Sequence, residues 1–426
     1  MPPISRRRLL QRLGTAAAAL LASDLAACSR GDTDLVVADV RRSALRPEAA
    51  PTVTGAACAF SLDLVRQVAG PDNLVCSPFS ALVALAMVRN GAAGATAEEM
   101  DRTLHLPSVS RLNAGLNTVT QTLDRLNGTR RRPDGSKATV SLNVVNSVWG
   151  QTGSTWEQPF LAALASSYGT GVRELDFAAD PERPTRRVNA WVEKQTQNRI
   201  QQIVPPHVIR PDTRMVLANA LHLKAGWREA FSPSTDGTFH APDGPVTSPW
   251  LTGVVQGTTA ISPLWTSARI ACAGDQLAMT VLLPARDVDT LLAELTADEL
   301  SKLLVQPAPA TVDLALPAFS FGSEVRLTET LQELGMTTAF SDAAEFPGIT
   351  SQESLKIDQV LHQGWVAVDE DGMEAAAATV VTMVPVSAGP QPDRSLVLDR
   401  PFLFCIHDTV LGTPLVLGVV NDPSRH

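Results

Sequence analysis

Two conflicting structural signals meet in one stretch of the chain, Glu370-Asp371-Gly372-Met373-Glu374-Ala375-Ala376-Ala377-Ala378-Thr379-Val380-Val381-Thr382-Met383-Val384-Pro385-Val386-Ser387. The glutamate and the four alanines favour a helix, because alanine is the best helix former. The β-branched residues that follow favour a strand. Since the stretch is also too apolar for an ordinary solvated loop, we predict a segment built to occupy two places in the fold.

The composition is that of a globular protein with a sizeable core. The 426 residues can form one large domain or two average ones, and an apolar content of 44% is ample for a core. The formal net charge of −9 argues against a general nucleic-acid binder. We therefore expect no nucleic-acid partner.

The N-terminus has the pattern of an export signal. Ser5-Arg6-Arg7-Arg8-Leu9-Leu10 resembles a twin-arginine signal, and the apolar stretch from Leu13 to Ala22 is too short to span a bilayer. The run Leu25-Ala26-Ala27-Cys28 resembles a bacterial lipobox, in which the cysteine is acylated and becomes the mature N-terminus. The alternative is a plain signal peptide that is cut near the same position.

These motifs divide the chain into three parts. Residues 1–28 are predicted to be a twin-arginine and lipoprotein signal peptide, residues 29–55 a flexible tether, and residues 56–426 the folded domain. We expect an exported protein that a lipid on Cys28 anchors to the outer face of the bacterial cytoplasmic membrane, at the cell surface.

The four cysteines after the lipobox are predicted to be buried free thiols. Export permits disulfides, and four cysteines allow three pairings, so their redox state stays open. Their wide spacing fits neither a metal site nor a redox motif. The four residues are Cys58, Cys76, Cys272 and Cys405.

Helical patterns dominate the first third of the chain, and strand patterns are more frequent after it. Helices are predicted over Ala57–Val68, Phe79–Asn90, Val109–Leu126, Thr185–Gln202, Val288–Leu304 and Ser323–Leu334. Strands are predicted over Ala138–Trp149, Thr213–Leu223, Leu277–Leu283, Thr311–Phe321, Leu355–Val368, Phe402–Ile406 and Leu415–Val420. Because helices and strands do not alternate regularly, the expected fold class is α+β.

The sequence carries no catalytic signature. It contains no Gly-x-Ser-x-Gly elbow, no His-Glu-x-x-His, no Cys-x-x-Cys and no phosphate-binding loop. We therefore expect a protein that is not an enzyme and that uses no cofactor and no metal. The basic run Arg130-Arg131-Arg132-Pro133-Asp134-Gly135 is predicted to be a solvated turn.

Five motifs, in order along the chain, resemble those of the serpin family and cover nearly everything from about Ala57 to the C-terminus. They are Asn73–Ser80, Gly91–Leu106, Asn189–Thr196, Leu217–Lys224 with Trp227, and Asp399–Phe404. The resemblance implies a monomer with the serpin fold. That fold has about nine helices and three β-sheets, with a large central sheet A and an exposed reactive-centre loop, here residues 370–394.

In such a protein the reactive loop is bait for a serine protease. Counting forward from Gly372, as the resemblance implies, places the scissile bond between Val386 and Ser387, in an alpha-1-antitrypsin-like loop. A small β-branched residue before the cut suits elastase-like proteases, and Pro385 holds the bait extended. Cleavage after Met383 or Val384 is the alternative register, with chymotrypsin-like or shifted elastase-like attack. The expected partner is a serine protease, held as a covalent acyl complex through Val386; an elastase-like enzyme is the first choice, and chymotrypsin-like or subtilisin-like enzymes are the alternatives.

The same resemblance makes the residues before the bait a hinge. Cleavage frees the first half of the loop, which inserts as a new central strand of sheet A. Strand alternation turns Met373, Ala375, Ala377, Thr379 and Val381 toward the core and the intervening residues outward. The hinge residues are Glu370, Gly372, Met373, Glu374, Ala375, Ala376, Ala377, Ala378 and Thr379.

Five further residues receive structural roles from the resemblance. Four match the shutter, a buried hydrogen-bond cluster under sheet A that controls strand separation, and the fifth matches the breach, where the loop enters the sheet. The shutter residues are Ser77, Ser80, Asn219 and His362, and the breach residue is Trp227.

The chain departs from the family pattern at two positions. Met373 replaces the small Thr or Ser usual at the first inserting position, and a bulky residue there is expected to slow insertion. Glu370 lacks its usual lysine partner, because the matching position is Ala318. A breach without this pair is expected to open more easily.

Two other functions stay open. A non-inhibitory serpin would be cleaved as a substrate or would act as a binding or chaperone protein, and Met373 leaves room for it. A hydrolase would need a catalytic motif that the sequence lacks. The alanine-rich hinge favours the inhibitor.

Overall fold

The computed structural model describes residues 34–106, 108–180, 182–233, 235–305, 308–373 and 392–425. Nine α-helices and three β-sheets lie in this part of the chain. The expected α+β class, with about nine helices and three sheets, is therefore confirmed.

Most helices lie in the first half of the chain. Helix α2 begins after Ser77 because the Ser77 hydroxyl accepts a hydrogen bond from the Ser80 N–H and Pro78 occupies the first turn. The helices are α1 (Ala50–Val68), α2 (Pro78–Arg89), α3 (Gly94–Thr103), α4 (Val109–Asp124), α5 (Gln158–Ala163), α6 (Glu182–Gln195), α7 (Val288–Glu294), α8 (Ala297–Val305) and α9 (Leu327–Glu333).

Nineteen strands form the three sheets. They are β1 (Leu35–Val36), β2 (Leu74–Cys76), β3 (Gly128–Arg131), β4 (Lys137–Gln151), β5 (Val172–Leu175), β6 (Met215–Gly226), β7 (Ser232–Pro233), β8 (Gly237–Ala241), β9 (Gly244–Ser248), β10 (Trp250–Ile261), β11 (Trp265–Ala271), β12 (Leu277–Pro284), β13 (Ala308–Pro317), β14 (Phe319–Arg326), β15 (Gln359–Val368), β16 (Gly372–Met373), β17 (Arg394–Val397), β18 (Phe402–Asp408) and β19 (Pro414–Val420).

The eight-stranded sheet, called the large sheet below, has the order β1-β5-β4-β6-β16-β15-β14, with β3 paired to β4. Strands β6 and β15 run parallel, and β4 runs antiparallel to β6. The end of β4 and the starts of β6 and β15 therefore lie at one pole of the sheet, called the distal pole. The opposite ends of β6 and β15, at Gly226 and Val368, form the breach pole.

The main core lies between the large sheet, the nine-stranded sheet and helices α1 and α2. The nine-stranded sheet has the order β17-β13-β10-β11-β12-β18-β19-β2, with β7 on β10. Phe319 of the large sheet contacts Phe402 and Phe404 of the other sheet, with ring centroids 6.2 and 5.7 Å apart. These aromatic contacts join the two sheets at the breach pole.

A second core lies on the other face of the large sheet, beneath helix α6. Val188 and Val192 of the helix pack on Val216, Ala218 and Ala220 of β6. The segment after the helix crosses to β15, where the guanidinium of Arg199 lies 4.7 Å from the centre of the Trp365 ring. Helix α6 and its extension therefore cover the front of β6 and β15.

The N-terminal segment lies against the domain, which corrects part of the predicted tether. Strand β1 pairs with β5, so that Leu35 lies opposite Arg173. Farther on, the Arg42 side chain donates hydrogen bonds to Asn117 and Thr120 of α4. Helix α1 begins at Ala50. Residues 34–55 are therefore part of the folded domain, and residues 29–33 lie outside the described residues.

The predicted helix Val288–Leu304 is two helices, α7 and α8. They are separated at Leu295 and Thr296, where a capping box starts the second helix. The Thr296 hydroxyl accepts from the Glu299 N–H, and the Glu299 carboxylate accepts from the Thr296 N–H. This reciprocal bonding ends one helix and begins another within a single apolar pattern.

The predicted strand Thr311–Phe321 also divides, into β13 of one sheet and β14 of the other. The break lies at Ala318, whose N–H donates to the Pro249 carbonyl instead of continuing either ladder. Residues 323–326, predicted to be helical, belong to β14 because they pair with β15. Sheet pairing overrides the local helical preference here.

No helix in the described part of the chain is both long and apolar enough to cross a bilayer.

Two glycines should respond in opposite ways to replacement by alanine. A Cβ on Gly364 of β15 would lie 2.5 Å from the Val75 carbonyl oxygen, whereas a Cβ on Gly55 of α1 has no atom within 4 Å. We expect Gly364→Ala to lower the free energy of unfolding by about 1–3 kcal/mol through overpacking. Gly55→Ala should raise it by about 0.5–1 kcal/mol, because the exposed helix position gains propensity. Urea denaturation measures both, and equal shifts would contradict the packing at Gly364.

Candidate functional site

The candidate site is the seam between β6 and β15, which is only partly closed. At the distal pole, Gln359–Gln363 pair in parallel with Val216–Ala220. Beyond these residues, no pair joins the two strands within the described chain. At the breach pole the two-residue strand β16 lies between them, with Met373 paired to Val368 on one side and to Ala225 on the other. The large sheet therefore already contains the start of an additional central strand.

A buried hydrogen-bond cluster lies under the paired part of the seam. The His362 Nδ1 atom lies 2.6 Å from the Asn219 Oδ1 atom, and the Asn219 Nδ2 atom donates to the Ser80 hydroxyl at 2.8 Å. That hydroxyl donates to the Ala220 carbonyl at 3.1 Å. The Ser77 N–H donates to the His362 Nε2 atom at 2.9 Å. The cluster ties both strands of the seam to the start of helix α2.

The contacts fix the protonation of His362. Its Nε2 atom accepts from a backbone N–H, so the proton of the neutral ring is on Nδ1 and points at the Asn219 oxygen. The side chain is 1% exposed, and burial lowers the pKa of His362 to about 4. The ring is therefore neutral at pH 7. A second proton would place an N–H donor against the Ser77 donor.

At the breach pole the chain reverses in a tight turn from β15 into β16. The Asp369 carboxylate accepts from the N–H groups of Asp371 and Gly372, at 2.9 and 3.1 Å. The Asp369 N–H donates to the Gly372 carbonyl at 3.0 Å. This aspartate turn places Gly372 and Met373 between the two strands.

Trp227 holds this turn from the side of β6. Its indole N–H donates to the Asp369 carbonyl at 2.9 Å, and its backbone N–H donates to the Asp371 carbonyl at 2.8 Å. The ring is fully buried and packs edge-on against Phe231, with centroids 6.0 Å apart. Trp227 is thus hydrogen-bonded to the turn that leads into β16.

Arg132 is a breach residue that the sequence analysis missed, and the predicted solvated turn is wrong at this position. Its guanidinium donates to the Trp227 carbonyl at 2.8 Å and to the Asp371 carbonyl at 2.7 Å. It also lies 3.8 Å from the Asp371 carboxylate, and its side chain is only 11% exposed. The arginine is desolvated because it bridges two backbone segments that meet only in the folded protein.

Gly372 and Met373 fit the slot for different reasons. A Cβ on Gly372 would lie 2.4 Å from the Ala225 carbonyl oxygen, so only glycine permits this backbone approach. Met373 is 1% exposed and belongs to the main core. The Met373 side chain is therefore already buried, with its backbone between the two strands.

Glu370 lies at the breach pole, next to the aspartate turn. Its carbonyl accepts from the Phe231 N–H at 2.8 Å, but in the described part of the chain no ion pair includes its carboxylate. Ala318 lies at the junction of β13 and β14. The ion pair at the breach is made by Arg132 and Asp371 instead.

The remaining predicted site residues fall outside the described residues. They are Cys28, Glu374, Ala375, Ala376, Ala377, Ala378, Thr379, Met383, Val384, Pro385, Val386 and Ser387.

The four later cysteines are free and buried. Burial raises the pKa of Cys58 and that of Cys76 to about 12, so these thiols are protonated and unreactive at neutral pH. Among the described residues, no group of His, Cys, Asp and Glu could hold a metal ion.

Comparison with known proteins finds similarity to one family. Residues 55–423 match the family model described as Serpin (serine protease inhibitor). An uncharacterized serpin-like protein of Thermococcus kodakarensis is 34% identical over 379 residues, which cover 87% of this chain and 86% of the relative. Serpin B4 of Homo sapiens is 30% identical over 383 residues, which cover 85% of this chain and 97% of Serpin B4.

Solved structures show the same architecture. The crystal structure of tengpin, a thermophilic serpin in the native state, aligns with a TM-score of 0.77 at 25% identity and covers 91% of this chain and 97% of tengpin. Uncleaved ovalbumin aligns with a TM-score of 0.74 at 21% identity, which supports the fold alone.

The neutral His362 predicts loss of stability in acid. The pKa is about 4 when folded and about 6.5 when unfolded, so the unfolded state binds more protons between these values. Stability should fall by about 3 kcal/mol as the pH decreases from about 6.5 to about 4. His362→Gln removes this titration. Urea denaturation at several pH values should therefore show that acid lowers the free energy of unfolding more in the wild type than in the variant.

His207→Gln is the matched control, because that side chain is 88% exposed and lies outside the cluster. It should retain the acid dependence of the wild type. Parallel stability curves for wild type and His362→Gln would contradict the neutral, buried ring.

Proposed function

The chain belongs to the serpin family, and on that premise we propose that it is an exported, lipid-anchored inhibitor of elastase-like serine proteases. It acts as a monomeric suicide substrate whose cleaved reactive loop inserts into the large sheet. The observation that carries this proposal is the seam, where Met373 is already paired with both β6 and β15 while the two strands pair with each other only at the far end, over Gln359–Gln363 and Val216–Ala220.

Chemistry at the bait supplies the covalent link. The protease serine attacks the carbonyl carbon of Val386, the bond to Ser387 breaks, and the new amine takes the proton held by the protease histidine. The product is an ester between Val386 and the protease. A small β-branched residue before this bond suits a small elastase-like primary pocket.

Insertion then moves the ester along the seam. Because β16 is antiparallel to β6, each residue after Met373 matches one residue before Ala225. Val386 lies 13 residues after Met373 and therefore comes level with Asp212, 13 residues before Ala225. At about 3.3 Å per residue the ester travels about 43 Å, from the breach pole to the distal pole.

The energy of this step is sufficient to damage a protease. Roughly a dozen inserted residues, at about 1 kcal/mol per hydrogen bond and about 1–2 kcal/mol per buried apolar side chain, release on the order of 10–20 kcal/mol. A typical protease is stable by about 5–15 kcal/mol. Insertion can therefore distort the attached enzyme and strand the ester, provided that it is faster than deacylation.

The location of the protein follows from its first 28 residues. The twin-arginine pattern and the lipobox at Cys28 support export and acylation, which would hold the inhibitor at the outer face of the bacterial cytoplasmic membrane. A secreted or surface protease is the target that such a location exposes. The negative net charge of −9 gives no reason to expect a nucleic-acid partner.

A direct test uses the domain without its signal segment, incubated with elastase, trypsin and subtilisin. We expect a complex with elastase that survives denaturing electrophoresis, together with a released C-terminal peptide that begins at Ser387. Sequencing of that peptide also distinguishes cleavage after Met383 or Val384. Cleavage without a stable complex would contradict the proposed inhibitory function and would support a non-inhibitory serpin that is only a substrate.

Charge on the inserted face should separate trapping from cleavage. Ala377 shares the alternation of Met373, whose side chain is buried in the main core, whereas Ala376 has the opposite parity. Ala377→Glu should reduce the yield of complex by at least about tenfold, because an unpaired carboxylate would be buried. Ala376→Glu should keep most of the complex. Equal losses in the two variants would contradict insertion in this register.

A further inference from the structure

Strand β1 determines the pole at which the N-terminus leaves the domain. Leu35 and Val36 pair with Arg173 and Val172 of β5, and the Asp34 carbonyl accepts from the Glu174 N–H. Glu174 of β5 lies opposite Gly150 of β4, and Gly150 lies opposite Met215, the first residue of β6. Asp34 is therefore at the same height in the sheet as the start of β6. The chain therefore enters the domain at the distal pole, opposite the breach.

The distance from this pole to an acylated Cys28 is short. Asp34 is six residues after Cys28, and six extended residues span at most about 21 Å. Arg42 and Arg46 fix the following segment to α4, through bonds to Asn117, Thr120 and Thr118. The anchor point on the domain is thus set by hydrogen bonds on both sides of β1.

The same pole is the destination of the trapped protease. The insertion register brings Val386 level with Asp212, beyond the first residue of β6. The new strand would lie four strand spacings from β1, which is about 19 Å. A protease of about 240 residues is about 45 Å across. The reach of the tether, about 21 Å, is therefore shorter than the diameter of the protease that must fit between this pole and the membrane.

We propose that the distal pole of the anchored protein faces the lipid bilayer and that the bilayer obstructs the arriving protease, so that inhibition is efficient only after release from the membrane. The inference rests on the proposed loop insertion and on the lipid at Cys28. Anchoring leaves Met373, the last described residue before the bait, at the pole that faces away from the membrane. The bilayer thus restrains completion of the trap at the distal pole and not at the breach pole.

The anchor, more than surface charge, sets this orientation. Basic and acidic side chains are balanced around two surface depressions at the distal pole. The basic residues are Arg183, Arg186, Arg187, Arg210, Arg214 and Lys356, and the acidic ones are Asp34, Glu174, Asp176, Asp212, Asp342 and Asp358. A surface with this balance has no strong attraction to anionic lipid.

The orientation can be measured with one label at each pole. Asp212→Cys places a thiol at the distal pole, and Asp134→Cys places one in the exposed turn beyond the breach. The four native thiols are buried, so a fluorophore should react at the introduced cysteine. In vesicles of phosphatidylcholine with a minor fraction of phosphatidylglycerol and quencher lipid, we expect quenching at position 212 and little at 134. Equal quenching would overturn the orientation.

The obstruction can be measured by lengthening the tether of the acylated full chain. A Gly/Ser insertion of about 60 residues after Arg30 has a root-mean-square span of about 43 Å, comparable with a protease, whereas an insertion of about five residues does not. On vesicles, we expect the native and five-residue tethers to yield several-fold less elastase complex than the long tether. In detergent, all three should yield the same amount.

The outcomes separate this inference from the function on which it rests. If no complex forms in detergent, the proposed inhibition fails. If the purified protein lacks the mass of a lipid on Cys28, the proposed anchor fails. If complex forms equally with short and long tethers on vesicles, the bilayer does not obstruct the protease and the inference is wrong.

Discussion

The incomplete pairing of β6 with β15 is the constraint on which the rest of the structure depends. Two central strands of a large sheet are hydrogen-bonded only over Gln359–Gln363 and Val216–Ala220. An unpaired backbone group inside a protein is costly, and a strand entering the seam would satisfy a row of them on both sides. The proposed insertion would therefore add backbone hydrogen bonds along this seam. In the described structure, a small set of contacts holds the two strands beside it.

Those contacts differ in kind. At the closed end, His362 and Asn219 are hydrogen-bonded to each other and to Ser77 and Ser80 inside the core, so separating the two strands would break a buried polar network. Across the front, helix α6 packs on β6 through apolar side chains. At the open end, the Arg132 guanidinium donates to the Trp227 carbonyl, which follows β6, and to the Asp371 carbonyl of the turn. A polar network, a packed helix and an ion pair thus restrain one seam from different sides.

The sequence predicts the fold class and most long elements, because segregated helical and strand patterns depend on local periodicity. It also singles out His362, Asn219, Ser77 and Ser80, which the structure brings together. Arg132 could not be found in this way, since its acceptors lie 95 and 239 residues farther along the chain. Strand β1 is only two residues long and has no periodicity to detect. Both features arise from long-range pairing.

Met373 shows how a departure from a family pattern can change meaning once its surroundings are known. As an entering residue, a methionine is larger than the usual Thr or Ser and should slow insertion. In the structure its side chain is already in the main core and its backbone already joins both strands. The burial of this side chain, worth about 1.5–3 kcal/mol, therefore already stabilises the described structure and would not add to the energy of the proposed insertion. Met373 thus marks the register from which that insertion would continue.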